Sequence, residues 1–378
     1  MYKRVIQNKI EDWLFQKKIV VLYGARQVGK TTLSKEIIKK YGNKGKYINC
    51  EFIRNQEMFS SPNPEKIKLF LEDYQIAILD EAQKVNNIGI VLKVLIDTYP
   101  DIQIIATGSS SFDLANKASE PLTGRSINFM LFPLSVEEIR QKHDFFEIDS
   151  ALENVLVFGT YPDVFGKTKE KSKDILESIA SNYLYKDILK FENLKNSDLL
   201  LKILKMLSLQ LGGEVSYLEI AKSLGVGSKT IEKYIDLLEK TFVVFKLNAF
   251  SRNIRKEISK SFKVFFWDLG IRNSLINNFN SLDSRNDVGA LFENFCIAER
   301  IKFSINNKIS ANSYFWRTYD QQEIDYIEES EGKIKACEIK WNKNKKARAP
   351  KIFLEHYPNS SFEVINSDNF YSFLKADL

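Results

Sequence analysis

Gly24-Ala25-Arg26-Gln27-Val28-Gly29-Lys30-Thr31 fills every fixed position of the pattern G-x-x-x-x-G-K-[ST]. The run Ile19-Val20-Val21-Leu22-Tyr23 before it reads as a buried strand, and Thr32 to Tyr41 after it reads as a helix. That order of strand, glycine loop and helix gives the pattern its meaning. Glycine lets successive backbone N–H groups turn inward around a polyphosphate, and the adjoining helix adds the positive end of its dipole. The expected nucleotide-binding positions are Gly24, Ala25, Arg26, Gln27, Val28, Gly29, Lys30, Thr31 and Thr32. Lys30 would reach the β and γ phosphates of ATP, and Thr31 would hold Mg²⁺. Arg26 adds a cation whose role the sequence leaves open.

A triphosphate site also needs groups that handle the metal and the water. Ile76-Ala77-Ile78-Leu79-Asp80-Glu81 supplies four apolar residues and then two carboxylates. Unbroken apolar runs mark buried parallel strands, whose carboxyl ends face the ligand crevice. Asp80 is expected to orient Mg²⁺, directly or through water, and Glu81 to polarise the attacking water. A third strand, Ile102 to Ala106, ends in Thr107-Gly108-Ser109-Ser110-Ser111. Its small hydroxyls suit a γ-phosphate sensor, with Ser109 the first choice and Thr107 the second; capping of a following helix is the alternative. Arg125, in Leu122-Thr123-Gly124-Arg125 before the strand Ile127 to Leu131, would supply charge to phosphate within its own chain or at a neighbouring subunit.

The ordered series of motifs resembles a prokaryotic family of AAA-type ATPases that is largely uncharacterised. The resemblance rests on the Gly24–Thr31 loop, Leu79-Asp80-Glu81-Ala82, Thr107-Gly108-Ser109-Ser110, Leu122-Thr123-Gly124-Arg125, Phe132-Pro133-Leu134-Ser135 and Gly159-Thr160-Tyr161-Pro162. It spans nearly the whole chain. It implies an α/β fold with a P-loop three-layer ATPase core and a helical lid. It also implies a C-terminal domain of unknown function related to restriction endonucleases.

With 378 residues, 44% apolar and 28% charged, the chain has room for two or three globular domains. Its apolar runs fall well short of the roughly 18 residues of a membrane span, so no membrane partner is expected. No secretory signal is read in the opening Met1-Tyr2-Lys3-Arg4, and Cys50, Cys296 and Cys337 show no paired spacing. A reduced, cytoplasmic setting follows as the default. Two histidines, His143 and His356, argue against a histidine-rich zinc site and most histidine-based catalysis. A net charge of +6 permits nucleic-acid binding without requiring it.

Residues 136–205 read as helical, with Ile175, Ile179, Tyr183 and Ile188 at near-helical spacing around Lys186-Asp187. Ser216 to Ile231 then reads as a helix-turn-helix. Ser216 and Glu219 form a capping-box pattern, Leu224-Gly225-Val226 makes the turn, and Ser228 caps the second helix. Phe242 to Leu247 follows as the wing strand. In a groove reader Lys229, Thr230 and Lys233 would face DNA, but Glu232 and Asp236 share the helix. A rigid lid or protein contact is the other reading of the same segment.

Toward the C-terminus, Lys263 to Trp267 reads as a strand ending in Asp268, and Gly289 to Phe295 begins a helix. A hairpin runs from Gln322 to Ile327, turns through Gly332, and returns from Ile334 to Trp341. Strand side chains alternate, so Glu338 and Lys340 share one face and Asp325 can join them across the hairpin. Two carboxylates and a lysine suit metal-dependent phosphodiester cleavage, with Asp325 and Glu338 as metal ligands and Glu293 as a third carboxylate. The set Asp325 with Glu338-Ile339-Lys340 resembles the PD-(D/E)xK nuclease superfamily. Two basic runs adjoin it: Arg252 to Lys263 has five basic residues and one acidic, and Lys340 to Lys351 has six basic and none acidic. Tyr314, Phe315 and Trp316 read as sheet core rather than base-stacking platforms.

The expected organisation is a P-loop ATPase domain (1–143), a helical lid (144–205), a winged helix-turn-helix (206–250) and a PD-(D/E)xK nuclease-like domain (251–378). Expected catalytic residues are Glu81, Arg125, Ser109, Glu293, Asp325, Glu338 and Lys340; expected metal ligands are Thr31, Asp80, Asp325 and Glu338. ATP and Mg²⁺ are the expected cofactors. Nucleic acid, DNA in preference, is the expected partner, and Arg125 raises a homo-oligomer. The competing class is an ATP-dependent switch that binds a protein partner through an inactive nuclease-like domain.

Overall fold

The computed structural model describes residues 2–109, 122–181, 197–251, 262–318 and 320–375. The chain divides into two compact units, Met1–Leu134 with Lys240–Phe242, and Ser135–Glu239 with Val243–Leu378.

In the first unit, β1 (Ile19–Tyr23), β2 (Gly45–Asn49), β3 (Ile76–Asp80), β4 (Gln103–Gly108) and β5 (Ser126–Met130) form one sheet in the order β2-β3-β4-β1-β5. All four pairings are parallel, with Val20 beside Ile105 and Ile127, and Leu79 beside Ile48 and Ala106. Every residue of β1, β3 and β4 is buried, which is why β1 and the first four residues of β3 read as unbroken apolar runs. Alternate residues Ile19, Val21, Ala77, Leu79, Ile104 and Ala106 share a core with Ile67, Leu71, Val91, Leu92 and Leu95 from the helices Pro64–Leu71 and Ile88–Thr98. The helix Lys30–Lys39 packs on β2, β3 and β4, burying Leu33 and Ile37. Parallel strands place their carboxyl ends along one edge, so the Gly24 loop, Asp80 and Thr107 meet there.

The second unit opens with helices, as expected for the 144–205 stretch: Phe145–Phe158, Lys169–Ile179 and Ser197–Leu209. Asp144 and Glu147 make a reciprocal capping box, and Thr168 caps the next helix. Ile179 is buried and Ile175 half-buried, while Tyr183, Lys186, Asp187 and Ile188 lie outside the described residues. The helices Tyr217–Leu224 and Ser228–Lys240 flank Gly225, whose φ of 67° carries the turn. Ser216 accepts from the Glu219 N–H at 3.3 Å, half of the expected capping box. Ser228 is the first helical residue rather than a preceding cap.

β6 (Val244–Ala249), β7 (Phe262–Phe266), β8 (Asn312–Arg317), β9 (Glu323–Ser330), β10 (Lys333–Ile339) and β11 (Ser360–Ile365) form a second sheet, ordered β11-β10-β9-β8-β6-β7. The expected division at residue 250 therefore falls inside one sheet, because β6 pairs with β7 on one side and β8 on the other. A main-chain ladder cannot be cut there without orphaning its hydrogen bonds. The long helix Val288–Asn307 packs on β7, β10 and the helix Phe370–Lys375. Phe315 and Trp316 are buried and Tyr314 half-buried, in keeping with a core role.

Candidate functional site

The phosphate-loop pattern is shaped by backbone that few residues tolerate. Gly24 has φ +153°, and a Cβ there would lie 2.1 Å from the Leu131 carbonyl oxygen. Gly29 also has a positive φ, +100°, at the entry to the helix Lys30–Lys39. Lys30 is buried, and its Nζ donates to the Gly24 and Ala25 carbonyls, each at 2.8 Å. The cation is thus held inside the loop. Arg4, also buried, donates from Nη1 to the Val28 carbonyl and from Nη2 to the Phe132 carbonyl, both at 2.6 Å. It ties the loop to the segment after β5. Nothing in the motif pattern signals Arg4, which lies outside it.

Asp80, at the end of β3, gathers three hydroxyl donors. Thr31 Oγ1 donates at 2.8 Å, Tyr47 OH at 2.5 Å, and Thr107 Oγ1 to the other carboxylate oxygen. Burial and the bond to Asp80 push the Tyr47 phenol well above its usual range, so it stays a donor. A carboxylate beside a threonine hydroxyl is a hard-oxygen donor pair of the kind Mg²⁺ prefers.

Glu81 follows with φ +55°, a left-handed turn that takes its side chain off the line of the strand. Its N–H donates to Thr107 Oγ1 at 3.3 Å. Gln83 Nε2 donates both to Glu81 Oε2 and, at 3.0 Å, to Ser109 Oγ. Ser109 is therefore coupled to Glu81, and Thr107 to Asp80. The sequence motifs do not single out Tyr47 or Gln83; Gln83 lies only two residues beyond the acidic pair, and its polarity there is the available signal.

Arg125 is placed elsewhere. Its carbonyl accepts from the Ile19 N–H at 2.9 Å, at the amino end of β1. The loop starts at the carboxyl end, about 15 Å away at the usual strand rise. Arg125 pairs instead with Asp97 at 2.7 Å, both well exposed. A role at the nucleotide of its own chain is corrected by this geometry. The two readings of Arg125 differ in reach, and only the neighbouring-subunit one survives as an expectation.

In the second unit the hairpin joins Asp325, Glu338 and Lys340 as strand alternation requires. Lys340 Nζ lies 2.6 Å from Glu338 and 3.5 Å from Asp325. Asp325 also accepts from the Ile339 N–H at 2.7 Å, which fixes its carboxylate against β10. Glu293 arrives from the helix Val288–Asn307, paired with Lys263 at 3.1 Å. Lys263, on β7 and almost fully buried, also meets Glu323 at 2.5 Å. Burial and the Asp325 charge push Glu293 up to about 8, with Lys263 pulling the other way. Burial would lower the Lys263 ammonium, but Glu293 and Glu323 outweigh it and hold it above its usual range. Burial and Asp325 likewise raise Glu338.

Lys263 and Glu323 complete a cluster that sequence reasoning reaches only in part, since strand order decides their approach. Among the described residues, no group of three or more histidine, cysteine, aspartate and glutamate side chains is arranged to hold a metal ion. Two lysines stand among these carboxylates instead. Directly after β10, Lys343, Lys345, Lys346, Arg348 and Lys351 are basic, and all five are exposed. Of the other basic run, residues 252–261 lie outside the described residues. Lys229 and Lys233 lie on the helix Ser228–Lys240 with Thr230. No helix among the described residues is long and apolar enough to cross a membrane.

Residues 16–140 match an AAA domain, residues 149–282 a domain of unknown function (DUF8612), and residues 288–376 another (DUF4143). An uncharacterised protein of Mycobacterium tuberculosis is 27% identical over 342 residues, covering 89% of this chain and 74% of its own. An uncharacterised protein of Methanocaldococcus jannaschii is 26% identical over 387 residues, covering 96% of this chain and 84% of its own. Among solved structures, Aeropyrum pernix ORC1 in complex with DNA aligns over 73% of this chain and 93% of its own, at 13% identity and a TM-score of 0.35. DnaA from Aquifex aeolicus, bound to AMPPCP, aligns over 62% and 86%, at 16% identity and a TM-score of 0.26. The loop and the Asp80–Glu81 pair both lie within the residues that match the AAA domain.

Proposed function

We propose that this protein is a Mg²⁺-dependent ATPase whose cycle drives a C-terminal domain that binds nucleic acid, DNA in preference, and cleaves it at the Asp325–Glu338–Lys340 cluster. One observation carries the ATPase half: Thr31, Tyr47 and Thr107 converge on Asp80 at the strand edge that also holds the Lys30 loop. Thr31 and Asp80 are the residues to hold Mg²⁺, which would neutralise phosphate charge. Lys30 and the loop N–H groups orient the triphosphate, and Glu81 takes a proton from water.

The helices of 144–205 serve in this reading as the lid, and residues 206–250 as a winged helix-turn-helix that shares its wing with the nuclease-like sheet. Asp325 and Glu338 would hold a divalent ion there. Mg²⁺ commonly takes one or two carboxylates, so this pair suits it. Lys340 stabilises charge on the phosphorus or orients water. The cations Lys343, Lys345, Lys346, Arg348 and Lys351, next in the chain, supply phosphate contacts.

A second reading has its own support. Lys263 and Lys340 already neutralise part of the carboxylate cluster, which suits a binding surface without metal, switched by ATP toward a protein partner. The deciding experiment incubates purified protein with single- and double-stranded DNA, Mg²⁺ or Mn²⁺, with and without ATP, beside Lys340→Ala. Cleavage that disappears in the variant supports the first reading. Intact ATPase without cleavage supports the second.

A further inference from the structure

We propose that Gln83 is the positioning residue of ATP hydrolysis: it clamps Glu81 toward Ser109 and offers its amide oxygen to the attacking water. The inference rests on the ATPase reading of the first unit and adds a residue to it.

The local chain path produces the clamp. Glu81 takes a left-handed conformation, φ +55°, which for a residue with a Cβ costs on the order of 1 kcal/mol and is characteristic of functional positions. A single 3₁₀ turn, Ala82–Lys84, follows, closed by Lys84 N–H to the Glu81 carbonyl and Val85 N–H to the Ala82 carbonyl, each at 3.0 Å. The reversal brings Gln83 back beside the Glu81 carboxylate. A straight continuation of β3 would have carried the two apart.

The amide of Gln83 is used asymmetrically. Its Nε2 donates to Glu81 Oε2 and to Ser109 Oγ, so both of its hydrogens are engaged. Its Oε1 is shut from solvent and has no hydrogen-bond partner. A buried acceptor left without a donor costs about 1–3 kcal/mol, so such an atom points to a donor that arrives with the reaction. Water fits. One hydrogen would go to the Glu81 carboxylate and the other to Gln83 Oε1, leaving a lone pair for the γ-phosphorus. As the water oxygen bonds to phosphorus, the bond to the β,γ-bridging oxygen breaks and its electron pair leaves with ADP. The water proton passes to Glu81 and then to the released phosphate.

The test uses the full chain, with steady-state phosphate release, titration by a fluorescent ATP analogue and thermal melting. Gln83→Ala is expected to lower kcat about 10- to 100-fold, the range of a misplaced general base, with KM and nucleotide Kd within about twofold. In a Glu81→Gln background the same change should alter the residual rate by less than about twofold, because the two residues act as a unit. Ser109→Ala, which removes the anchor of the clamp, should cost about 3- to 10-fold in kcat and serves if Gln83→Ala melts early. A kcat retained in Gln83→Ala, a loss confined to KM, or equal losses in both backgrounds overturns the proposal. A wild-type protein that binds the analogue without turnover, or does not bind it, overturns the ATPase reading as well, and the titration tells these apart.

Discussion

Thr31 and Asp80, 49 residues apart in the chain, share a hydrogen bond of 2.8 Å from hydroxyl to carboxylate. One is the second residue of the helix after the phosphate loop, and the other ends β3. Strand β4 lies between β1 and β3, and from it Thr107 bonds the same carboxylate. The site is therefore assembled by sheet order, with each strand end giving one group. Asp80→Asn keeps the shape and removes the charge. It should lower Mg²⁺-dependent hydrolysis by about 100-fold or more, since charge stabilisation at a phosphoryl centre is of that size. A Mg²⁺ titration of ATPase rate checks it, and an unchanged rate and Mg²⁺ midpoint would remove Asp80 from the metal.

Lys30 holds two loop carbonyls with its ammonium and can exchange them for phosphate oxygens. Lys30→Ala should weaken ATP binding by about 10- to 100-fold, the equivalent of one charge-assisted hydrogen bond. Direct titration with ATP reads this without turnover. Affinity within about twofold of wild type would show that Lys30 only braces the loop.

Glu81→Gln preserves the side-chain volume and removes the proposed base. The variant should bind ATP normally and lose about 100- to 10,000-fold in turnover, trapping the nucleotide. Normal phosphate release would end the assignment of Glu81 to the water.

The exposed cations after β10 make a separate, electrostatic prediction. Lys345→Glu with Lys346→Glu should weaken DNA binding at low salt. It should also flatten the dependence of log K on log salt by about 2, at roughly 0.9 for each phosphate that the protein no longer neutralises. Fluorescence anisotropy across a salt series measures it. Binding that ignores salt in the wild type would favour the protein-partner reading.

Glu293 gives a pH signature. Its carboxyl is raised from 4.5 to about 8, so the folded protein holds more protons than the unfolded chain between those values. Stability from this group is present below about pH 4.5 and diminishes as pH rises toward 8. Glu293→Gln, a neutral stand-in for the protonated acid, should remove that slope. The variant's stability relative to wild type should grow by on the order of 2 kcal/mol between about pH 5 and 8, read by urea melts. Parallel wild-type and variant curves would show that Lys263 keeps Glu293 ionised throughout.

Much of the first unit is legible in the sequence because its signals are local. Five apolar residues before Gly24, and four before Asp80, mark fully buried strands without any partner in view. Glu338 and Lys340 are legible for the same reason, since alternation along one strand fixes a shared face, and the short turn through Gly332 brings Asp325 across. Arg125 shows the limit. Its loop reads like a phosphate contact, yet the parallel register with β1 sets it at the opposite end of the strand from Gly24. The boundary at residue 250 fails similarly, because β6 reads as a wing strand but completes a sheet with β8.

By itself the sequence determined the strand–loop–helix, the acidic strand end and the Glu338–Lys340 face, since each follows from backbone periodicity over a few residues. The tertiary structure alone decided that Tyr47 and Thr107 would share Asp80, that Gln83 would fold back on Glu81, and that Lys263 would stand between Glu293 and Glu323. Those arrangements depend on strand order, register and one left-handed turn, and elements far apart in the chain settle these only by packing together.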